Sequence, residues 1–363
     1  MTEEKTVLSG PGGVGGGAPE AADVDAKVLA EAVRRGLITP AQGGAALEEA
    51  RAGGVPVLEV LRRRSLLTEE AARVLDEEVK EDFVPGYRIL SKLGEGGMGV
   101  VYRALQKRLD RVVALKVVMP HLAADPSYLR RFEREAKAVA KLNHPSIVAA
   151  YDYGESNGRV YLAMEFVEGR NLAEQIREEG PLSEDRALAV VRDAAAGLAH
   201  AHAAGILHRD VKPANILMAA PRPGETGGTT TTGAKVTDLG LARTGDSKGA
   251  SELTAAGAIL GTPGYMAPEQ AFGRDIDQRA DIYALGATMY HMIAGEPPFE
   301  ASGIWEFVEL IQHGTPKPLL EVVPDMPGRI WDVIHTCLQK NPKDRYQVPR
   351  DLRKELEACL KLV

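Results

Sequence analysis

The apolar residues in the first quarter of the chain recur at the spacing of an α-helix. Val28, Leu29 and Ala32 share one helical stripe, and Ala, Leu, Glu and Arg dominate the surrounding sequence. This pattern predicts a small all-helical module over residues 21–82. Residues 1–20 are different, because a glycine run leaves too little apolar surface to offset the entropy of ordering, so we expect a flexible tail.

Two helix starts in this module have similar sequences. Thr39 is followed by Pro40 and Gln42, which is the pattern of a capping box with proline in the first turn. Thr68 precedes a pair of glutamates that suit the positive end of a helix. Two interpretations of the module remain open: it docks a partner, or it is a helical spacer.

Beyond residue 86 the apolar pattern changes to the alternation that is typical of strands. One long amphipathic helix is predicted over residues 128–142, and further helices are predicted over 172–178 and 183–204. A mainly β region with one long helix therefore precedes a mainly helical region. The strands are predicted over residues 87–93, 100–104, 112–118, 148–153 and 160–166.

Residues 94–99 form a glycine-rich turn between the first two predicted strands. The same glycine spacing occurs in dinucleotide-binding folds, but there a helix should follow the third glycine. Here β-branched and aromatic residues follow Gly99, which favours a hairpin. Gly94, Gly96 and Gly99 would let backbone N–H groups approach phosphate oxygens, and Val101 could cover one face of an adenine ring.

Lys116 interrupts the apolar strand over residues 112–118. A lysine in such a strand is costly unless it meets an anion, so we expect a carboxylate or phosphate partner. Glu135 flanks the apolar face of the long helix, whereas Glu133 lies toward its polar side. Glu135 is therefore the better placed of the two, and its pairing with Lys116 is what the family resemblance set out below implies.

A polar loop over residues 208–215 carries groups that suit phosphoryl transfer. Asp210 can accept a proton from an attacking hydroxyl, Lys212 can neutralise phosphate charge, and Asn215 offers an amide oxygen to a magnesium ion. Pro213 excludes a regular helix. The loop therefore presents its polar groups from a short turn beside a predicted helix.

This loop resembles the catalytic loop of the eukaryotic-type, or Hanks-type, serine/threonine protein kinases in their bacterial branch. The resemblance extends over about residues 87–360. It implies an α+β, two-lobed protein kinase fold, in which a small mainly β N-lobe with one long helix spans about 87–165. A larger, mainly α C-lobe would span about 169–360, and the helical module would precede both.

The resemblance also implies a role for several single residues. Asn215 and Asp238 match the metal-binding positions, and the Thr262 hydroxyl would bridge Asp210 and Lys212. Leu239 departs from the phenylalanine that is usual after the metal-binding aspartate, although it is still apolar. The residues assigned to catalysis are Asp210, Lys212, Lys116, Glu135 and Thr262.

By the same resemblance, ATP lies between the lobes. Backbone groups of Glu165 and Val167 would bind adenine, and Met164 would guard the pocket behind it. The nucleotide-binding residues would be Leu93, Gly94, Glu95, Gly96, Gly97, Met98, Gly99, Val101, Ala114, Lys116, Met164, Glu165 and Val167.

The expected activity is transfer of the γ-phosphoryl group of ATP to serine or threonine hydroxyls of protein substrates, including the kinase itself. Magnesium, or manganese in its place, would be the metal. Lys212, two residues after Asp210, is typical of the serine/threonine-specific branch. The alternative is a pseudokinase scaffold that binds nucleotide, but such proteins usually lack one of these groups.

Two segments of the predicted C-lobe concern regulation and variation. Arg209 is a cation beside the catalytic aspartate, so phosphate on a nearby threonine could order the loop before Thr262, and Thr254 is the preferred site. The stretch over residues 220–234 is longer than is usual for the family and is predicted to be a hairpin tip, with threonines that could be modified.

The composition and charge of the chain argue against some partners and locations. Most of the formal net charge of −7 falls in residues 1–85, which leaves the remainder near neutral, so nucleic acid is a poor candidate partner. No segment is apolar enough over sufficient length to span a membrane. The two cysteines, Cys337 and Cys359, have no metal-ligand spacing, which fits a reducing cytoplasm. We therefore expect a cytoplasmic protein without a membrane anchor in this chain.

Overall fold

A computed structural model describes residues 19–81, 84–156, 158–220, 232–240, 263–301 and 303–363 of the chain. The chain divides into two compact units, residues 1–91 with 104–111 and residues 92–103 with 112–363. Thr254, Thr262 and most of the predicted insertion over 220–234 lie outside the described residues.

Four helices near the start of the chain share an apolar centre, as the sequence pattern predicts. Their inward positions include Val28, Ala32, Leu61 and Leu75, all buried. No helix in the described parts of the chain has the length and apolarity needed to cross a bilayer. The helices are α1 (Pro19–Arg34), α2 (Pro40–Gly53), α3 (Val57–Arg63) and α4 (Glu69–Glu81).

Side-chain caps fix where these helices begin. The predicted capping box is present, because the Thr39 hydroxyl accepts the Gln42 N–H and the Gln42 side chain accepts the Thr39 N–H at 2.8 Å. The hydroxyl of Thr68 accepts the N–H of Ala71 at 3.2 Å, also as predicted. A contact that the sequence did not reveal joins α1 to α3, where the Asp25 carboxylate accepts the N–H of Val57 at 2.9 Å.

Five strands form one sheet in the order β1-β2-β3-β5-β4. The fourth strand begins at Ala150 and not at the predicted position 148, because the Val148 N–H donates to the Val236 carbonyl outside this sheet. The strands β3 and β5 are antiparallel, with Lys116 opposite Leu162. The strands are β1 (Tyr87–Gly96), β2 (Gly99–Gln106), β3 (Arg111–Val118), β4 (Ala150–Ser156) and β5 (Arg159–Glu165).

The space around the glycines of the turn between β1 and β2 differs from one position to the next. A Cβ added at Gly94, Gly96 or Gly97 would meet no atom within 4 Å. At Gly99 it would lie 2.1 Å from the carbonyl oxygen of Val117. The close approach of the β3 backbone therefore requires glycine at position 99 by itself, and our interpretation of Gly99 as a residue that admits phosphate stays a prediction.

Two helices connect β3 to β4. The first is short, α5 (Pro120–Ala123), and the second is the predicted long helix, α6 (Pro126–Val139). The long helix begins before the predicted residue 128 because Asp125 caps it by accepting the N–H of Ser127 at 2.8 Å, with proline in the first turn. Its apolar face, which includes Phe132 and Ala136, packs with Met164 of β5.

The remainder is mainly helical and encloses the largest apolar cluster, in which α8 and α10 contribute many of the buried residues. Leu239, the residue that departs from the family pattern, is buried in this cluster. A small sheet runs in the order β6-β7-β8. The elements are β6 (Gly169–Asn171), α7 (Leu172–Glu179), α8 (Glu184–Ala203), β7 (Ile216–Ala219), β8 (Ala234–Val236), α9 (Pro268–Ala271), α10 (Gln278–Ala294), α11 (Ile304–His313), α12 (Leu319–Val322), α13 (Gly328–Cys337) and α14 (Pro349–Cys359).

The residues just before β8 are anchored to α8. The carboxylate of Asp193 accepts both the N–H and the hydroxyl of Thr232, at 2.7 and 2.9 Å. The same hydroxyl accepts the N–H of Ala234 at 3.2 Å. Thr232 is therefore a structural residue and a poor candidate for modification, which corrects our grouping of it with the other threonines of the insertion.

One buried ion pair ties the last helices to α9. The guanidinium of Arg345 makes two hydrogen bonds with the carboxylate of Glu269, at 2.6 and 2.8 Å, and both residues are 4% exposed. It also donates to the carbonyl groups of Gln339, Lys340 and Arg279. Arg345 therefore links α9 to the segment that precedes α14.

Replacement of Gly99 by alanine should destabilise the fold, whereas the same change at Gly96 should not. We expect Gly99→Ala to lower the free energy of unfolding by about 2 kcal/mol, since the new methyl overlaps the β3 backbone. Gly96→Ala should change it by less than about 0.5 kcal/mol. Urea denaturation followed by circular dichroism measures both. Equal stabilities of the two variants would contradict this account of Gly99.

Candidate active site

A cavity of about 490 Å³ contains the predicted nucleotide site. Its lining comes from the glycine-rich turn, β3, the end of β5 and the loop before β7. Every residue that we assigned to nucleotide binding lines this cavity, and so do Asp210, Lys212, Asn215 and Asp238. The fold therefore brings together groups that are widely separated in the sequence, and their individual roles stay predictions.

At the end of β5 the chain leaves the sheet and passes along the cavity. The Glu165 N–H donates to the Ala149 carbonyl at 2.8 Å. The Glu165 carboxylate accepts the N–H of Ala149 at 3.3 Å and lies 3.0 Å from the ammonium of Lys235. The guanidinium of Arg103 stands 5.3 Å from the centre of the Phe166 ring. Glu165, one of the two residues predicted to bind adenine, is thus held from several sides.

Lys116 projects from β3 into the opposite end of the cavity and is 6% exposed. Its ammonium lies 2.6 Å from Oδ1 of Asp238. Burial alone would raise the pKa of Asp238, but the charge and hydrogen bond of Lys116 outweigh that effect, so its pKa lies below the ordinary value. The buried lysine has an anionic partner, as its position in an apolar strand requires.

The expected ion pair between Lys116 and Glu135 is absent from this structure, because Lys116 pairs with Asp238 instead. Glu135 Oε2 is buried and has no hydrogen-bond partner among the residues that the structure describes. Burial raises the pKa of Glu135, and the guanidinium groups of Arg209, Arg134 and Arg131 oppose that shift only in part.

Glu133, the rival that we rejected, pairs instead with Lys137 at 2.6 Å on the outer face of α6. Glu135 therefore does face inward, but the cation that acts on it most strongly is Arg209.

The catalytic loop is held by one carboxylate of α10. Asp281 accepts the backbone N–H of His208 at 2.9 Å and that of Arg209 at 2.7 Å, and the ring of His202 lies 2.7 Å from it. Burial would raise the pKa of Asp281, but these hydrogen bonds and the histidine charges keep it below its ordinary value. His208 is fully buried, with Nε2 2.9 Å from the carbonyl oxygen of Thr237, which fits a structural role.

Two polar groups of the loop, those of Lys212 and Asn215, lie within hydrogen-bond distance of Asp210. The Lys212 ammonium is 2.9 Å from Asp210 Oδ2, and the Asn215 amide N–H₂ donates to the same oxygen at 3.0 Å and to the Asp210 carbonyl at 2.8 Å. Because Asn215 uses its nitrogen for these bonds, its amide oxygen is oriented away from Asp210. That oxygen can serve as a ligand for a hard cation.

The donor set of the cavity fits a magnesium ion that is also bound to phosphate. Asn215 supplies an amide oxygen and Asp238 a carboxylate, and both line the cavity. Within the described ranges no group of three or more His, Cys, Asp or Glu side chains could hold a metal by itself. A cation at this place would complete its shell with phosphate oxygens and water, which is the usual coordination of magnesium in nucleotide sites.

Sequence reasoning missed part of the lining. Asn171 and Glu174 lie at the edge of the cavity and form a capping box at the start of α7, with bonds of 2.9 and 3.3 Å. Their spacing is a recognisable signal for a helix start, although it gives no indication of a cavity. The other missed residues are Val148, Phe166, Gly169, Ala214, Leu217 and Thr237.

Comparison with known proteins agrees with this geometry. Serine/threonine-protein kinase pkn3 of Myxococcus xanthus is 39% identical over 287 residues, which are 78% of this chain and 51% of that protein. Serine/threonine-protein kinase PknB of Mycobacterium tuberculosis is 39% identical over 274 residues, which are 74% of this chain and 42% of that protein. The chain thus spans about half the length of the curated relatives that it matches.

Solved structures and the family model give the same assignment. The crystal structure of the Mycobacterium tuberculosis PknI kinase domain is 31% identical, with a TM-score of 0.59, and the match covers 77% of this chain and 98% of that one. The protein kinase domain model matches residues 87–356. With most of its length matched, the chain belongs to the protein kinase family and is similar in sequence to bacterial serine/threonine kinases.

Proposed function

We propose that this protein transfers the γ-phosphoryl group of ATP to serine or threonine hydroxyls of proteins, including its own. The observation that carries the proposal is the convergence of Lys116, Asp210, Lys212, Asn215 and Asp238 on one cavity beside the glycine-rich turn. Serine/threonine specificity is supported by the position of Lys212 and by the similarity to pkn3 and PknB. The proposed location is the cytoplasm.

The chain's own residues would do four things in this reaction. Asp210 would orient the substrate hydroxyl and accept its proton, and Lys212, already 2.9 Å from it, would stabilise charge on the transferred phosphoryl group. Lys116 would contact the nucleotide phosphates. Asn215 and Asp238 would hold magnesium, or manganese in its place, which neutralises phosphate charge when bound. Positioning and charge stabilisation supply most of the catalysis in such a site.

The alternative function is a scaffold that binds nucleotide without transferring phosphate. It would be favoured if one of the phosphoryl-transfer groups were missing or directed away from the cavity. Asp210, Lys212, Asn215 and Asp238 all line the cavity, and among the described residues assigned to catalysis Glu135 lacks the partner that we expected for it. A displaced Glu135 fits a resting arrangement of an active enzyme as well as a scaffold, so activity must be measured directly.

Asp210→Asn should abolish turnover while ATP binding stays nearly intact. The carboxylate acts on the hydroxyl, and its loss should reduce the rate by about 10²–10⁴-fold. Lys116→Met should also abolish transfer. Transfer of labelled phosphate to a generic peptide measures the rate, and nucleotide binding is measured separately. Asp185→Asn, the same change at an exposed position of α8, is the matched control. Wild-type rates in Asp210→Asn protein, free of contaminating kinase, would refute the assignment.

We further propose that residues 21–82 dock a partner and take no part in catalysis. The support is that α2 and α4 begin at side-chain caps and that α1 to α4 share their own apolar cluster. None of the described residues that line the cavity comes from them.

A chain that begins at Phe83 should therefore retain transfer to a generic peptide. Its specific activity is compared with that of the full chain, after circular dichroism has shown that the shortened chain is folded. A folded but inactive shortened chain would mean that the helical module is integral to the kinase.

Phosphorylation of Thr254 is the regulatory mechanism that we propose for this site. Its support is the environment of Arg209, whose guanidinium Nε is buried without a hydrogen-bond partner among the described residues, as is Nε of Arg131 on α6. Two guanidinium groups whose Nε–H has no acceptor favour a nearby anion. A phosphorylated threonine carries about −1.5 to −2 charges.

Protein expressed alone should carry phosphate on Thr254, and the phosphate should be absent from the Asp210→Asn variant. Mass spectrometry of both proteins tests this, and Thr254→Ala should reduce the rate of transfer to a generic peptide. Undiminished activity of Thr254→Ala, or an unmodified Thr254 in fully active enzyme, would exclude the mechanism.

A further inference from the structure

Lys235 of β8 makes a contact that the catalytic assignment does not explain. Its ammonium lies 3.0 Å from both carboxylate oxygens of Glu165, the last residue of β5. The side chains are 19% and 24% exposed, respectively. For comparison, the ion pair of Lys137 and Glu133 on α6 has side chains that are 67% and 43% exposed. The pair at β8 is better shielded from water, so its loss should have the larger effect.

Glu165 is held at three points. Its N–H donates to the Ala149 carbonyl, its carboxylate accepts the Ala149 N–H, and Lys235 binds the same carboxylate. The first two contacts fix Glu165 against Ala149, the residue before β4. The third is the only one of the three that reaches from the mainly helical part of the second unit to this position.

The strand that carries Lys235 also leads directly to the metal-binding aspartate. It ends at Val236, and after Thr237 the chain reaches Asp238, whose carboxylate pairs with Lys116 at the phosphate end of the cavity. One short strand therefore supports groups at both ends of the nucleotide site. Its register is fixed by pairing with β7, where Leu217 lies opposite Lys235.

We propose that Lys235 is a positioning residue for the adenine end of the nucleotide site. It fixes the Glu165 carboxylate and, through it, the backbone of residues 165–167 that presents adenine-binding groups to the cavity. This inference rests on the proposed use of ATP. In this proposal Lys235 does not contact the nucleotide. It supports the adenine end of the site, whereas Lys116 and Asp238 support the phosphates.

The test uses the full chain and compares ATP with adenosine, which has the adenine and ribose but no phosphate. Lys235→Met should raise the KM for ATP and the inhibition constant of adenosine by the same factor, about tenfold, with kcat nearly unchanged. Lys235→Arg should restore both values, because a guanidinium can also bind both carboxylate oxygens. Lys137→Met, which removes a lysine from the exposed pair, should change neither.

A second route avoids dependence on one variant. Glu165→Gln retains an acceptor for the Ala149 N–H and removes the charge, so it should weaken ATP and adenosine by a similar factor. The double variant Lys235→Met with Glu165→Gln should be no weaker than either single variant, since both changes remove one interaction.

Three outcomes would overturn the inference. They are unchanged adenosine inhibition in Lys235→Met, a fall in kcat at constant KM, which would mean that Lys235 acts through Asp238, and additive effects in the double variant. If the wild-type chain transfers no phosphate, the proposed function fails instead, and direct binding of adenosine to the same variants still decides the role of Lys235.

Discussion

The geometry of the catalytic loop depends on one buried carboxylate, that of Asp281. It accepts two consecutive backbone N–H groups, from His208 and Arg209, and so fixes the chain immediately before Asp210. Arg209 has a positive φ of 68°, a conformation that costs a non-glycine residue of order 1–3 kcal/mol. The bond to Asp281 and the bond from Gln270 to the Arg209 carbonyl hold that conformation in place.

The buried charges near this loop fall into two groups. Lys116 and Asp238 form an ion pair, whereas the cation that acts most strongly on Glu135 is Arg209. A buried ion that loses its partner is destabilised by about 3–5 kcal/mol. Lys116 avoids this cost because it is paired with Asp238. A phosphate that approaches Lys116 therefore competes with that carboxylate.

Local rules were sufficient for part of this structure. The caps at Thr39 and Thr68 and the five strands follow from residue type and short spacing, whereas much of the cavity lining was expected only from the resemblance to protein kinases. What local rules missed has one cause, which is a long-range partner. Gly99 is required by the backbone of Val117, and Lys116 selects an aspartate 122 positions away. The contact between Lys235 and Glu165, 70 positions apart, has no local signal either.

The contacts of Thr232 have a consequence for how this fold can vary. Asp193 fixes the chain just before β8, and the Ala220 N–H donates to the Glu168 carbonyl on the other side of the insertion, at 2.7 Å. Both ends are thus set by groups outside the segment between them. For a segment with fixed ends, each doubling of length costs only about 0.6 kcal/mol of closure entropy. Residues 221–231 can therefore be lengthened, shortened or replaced in evolution while β8, and Asp238 beyond it, keep their register.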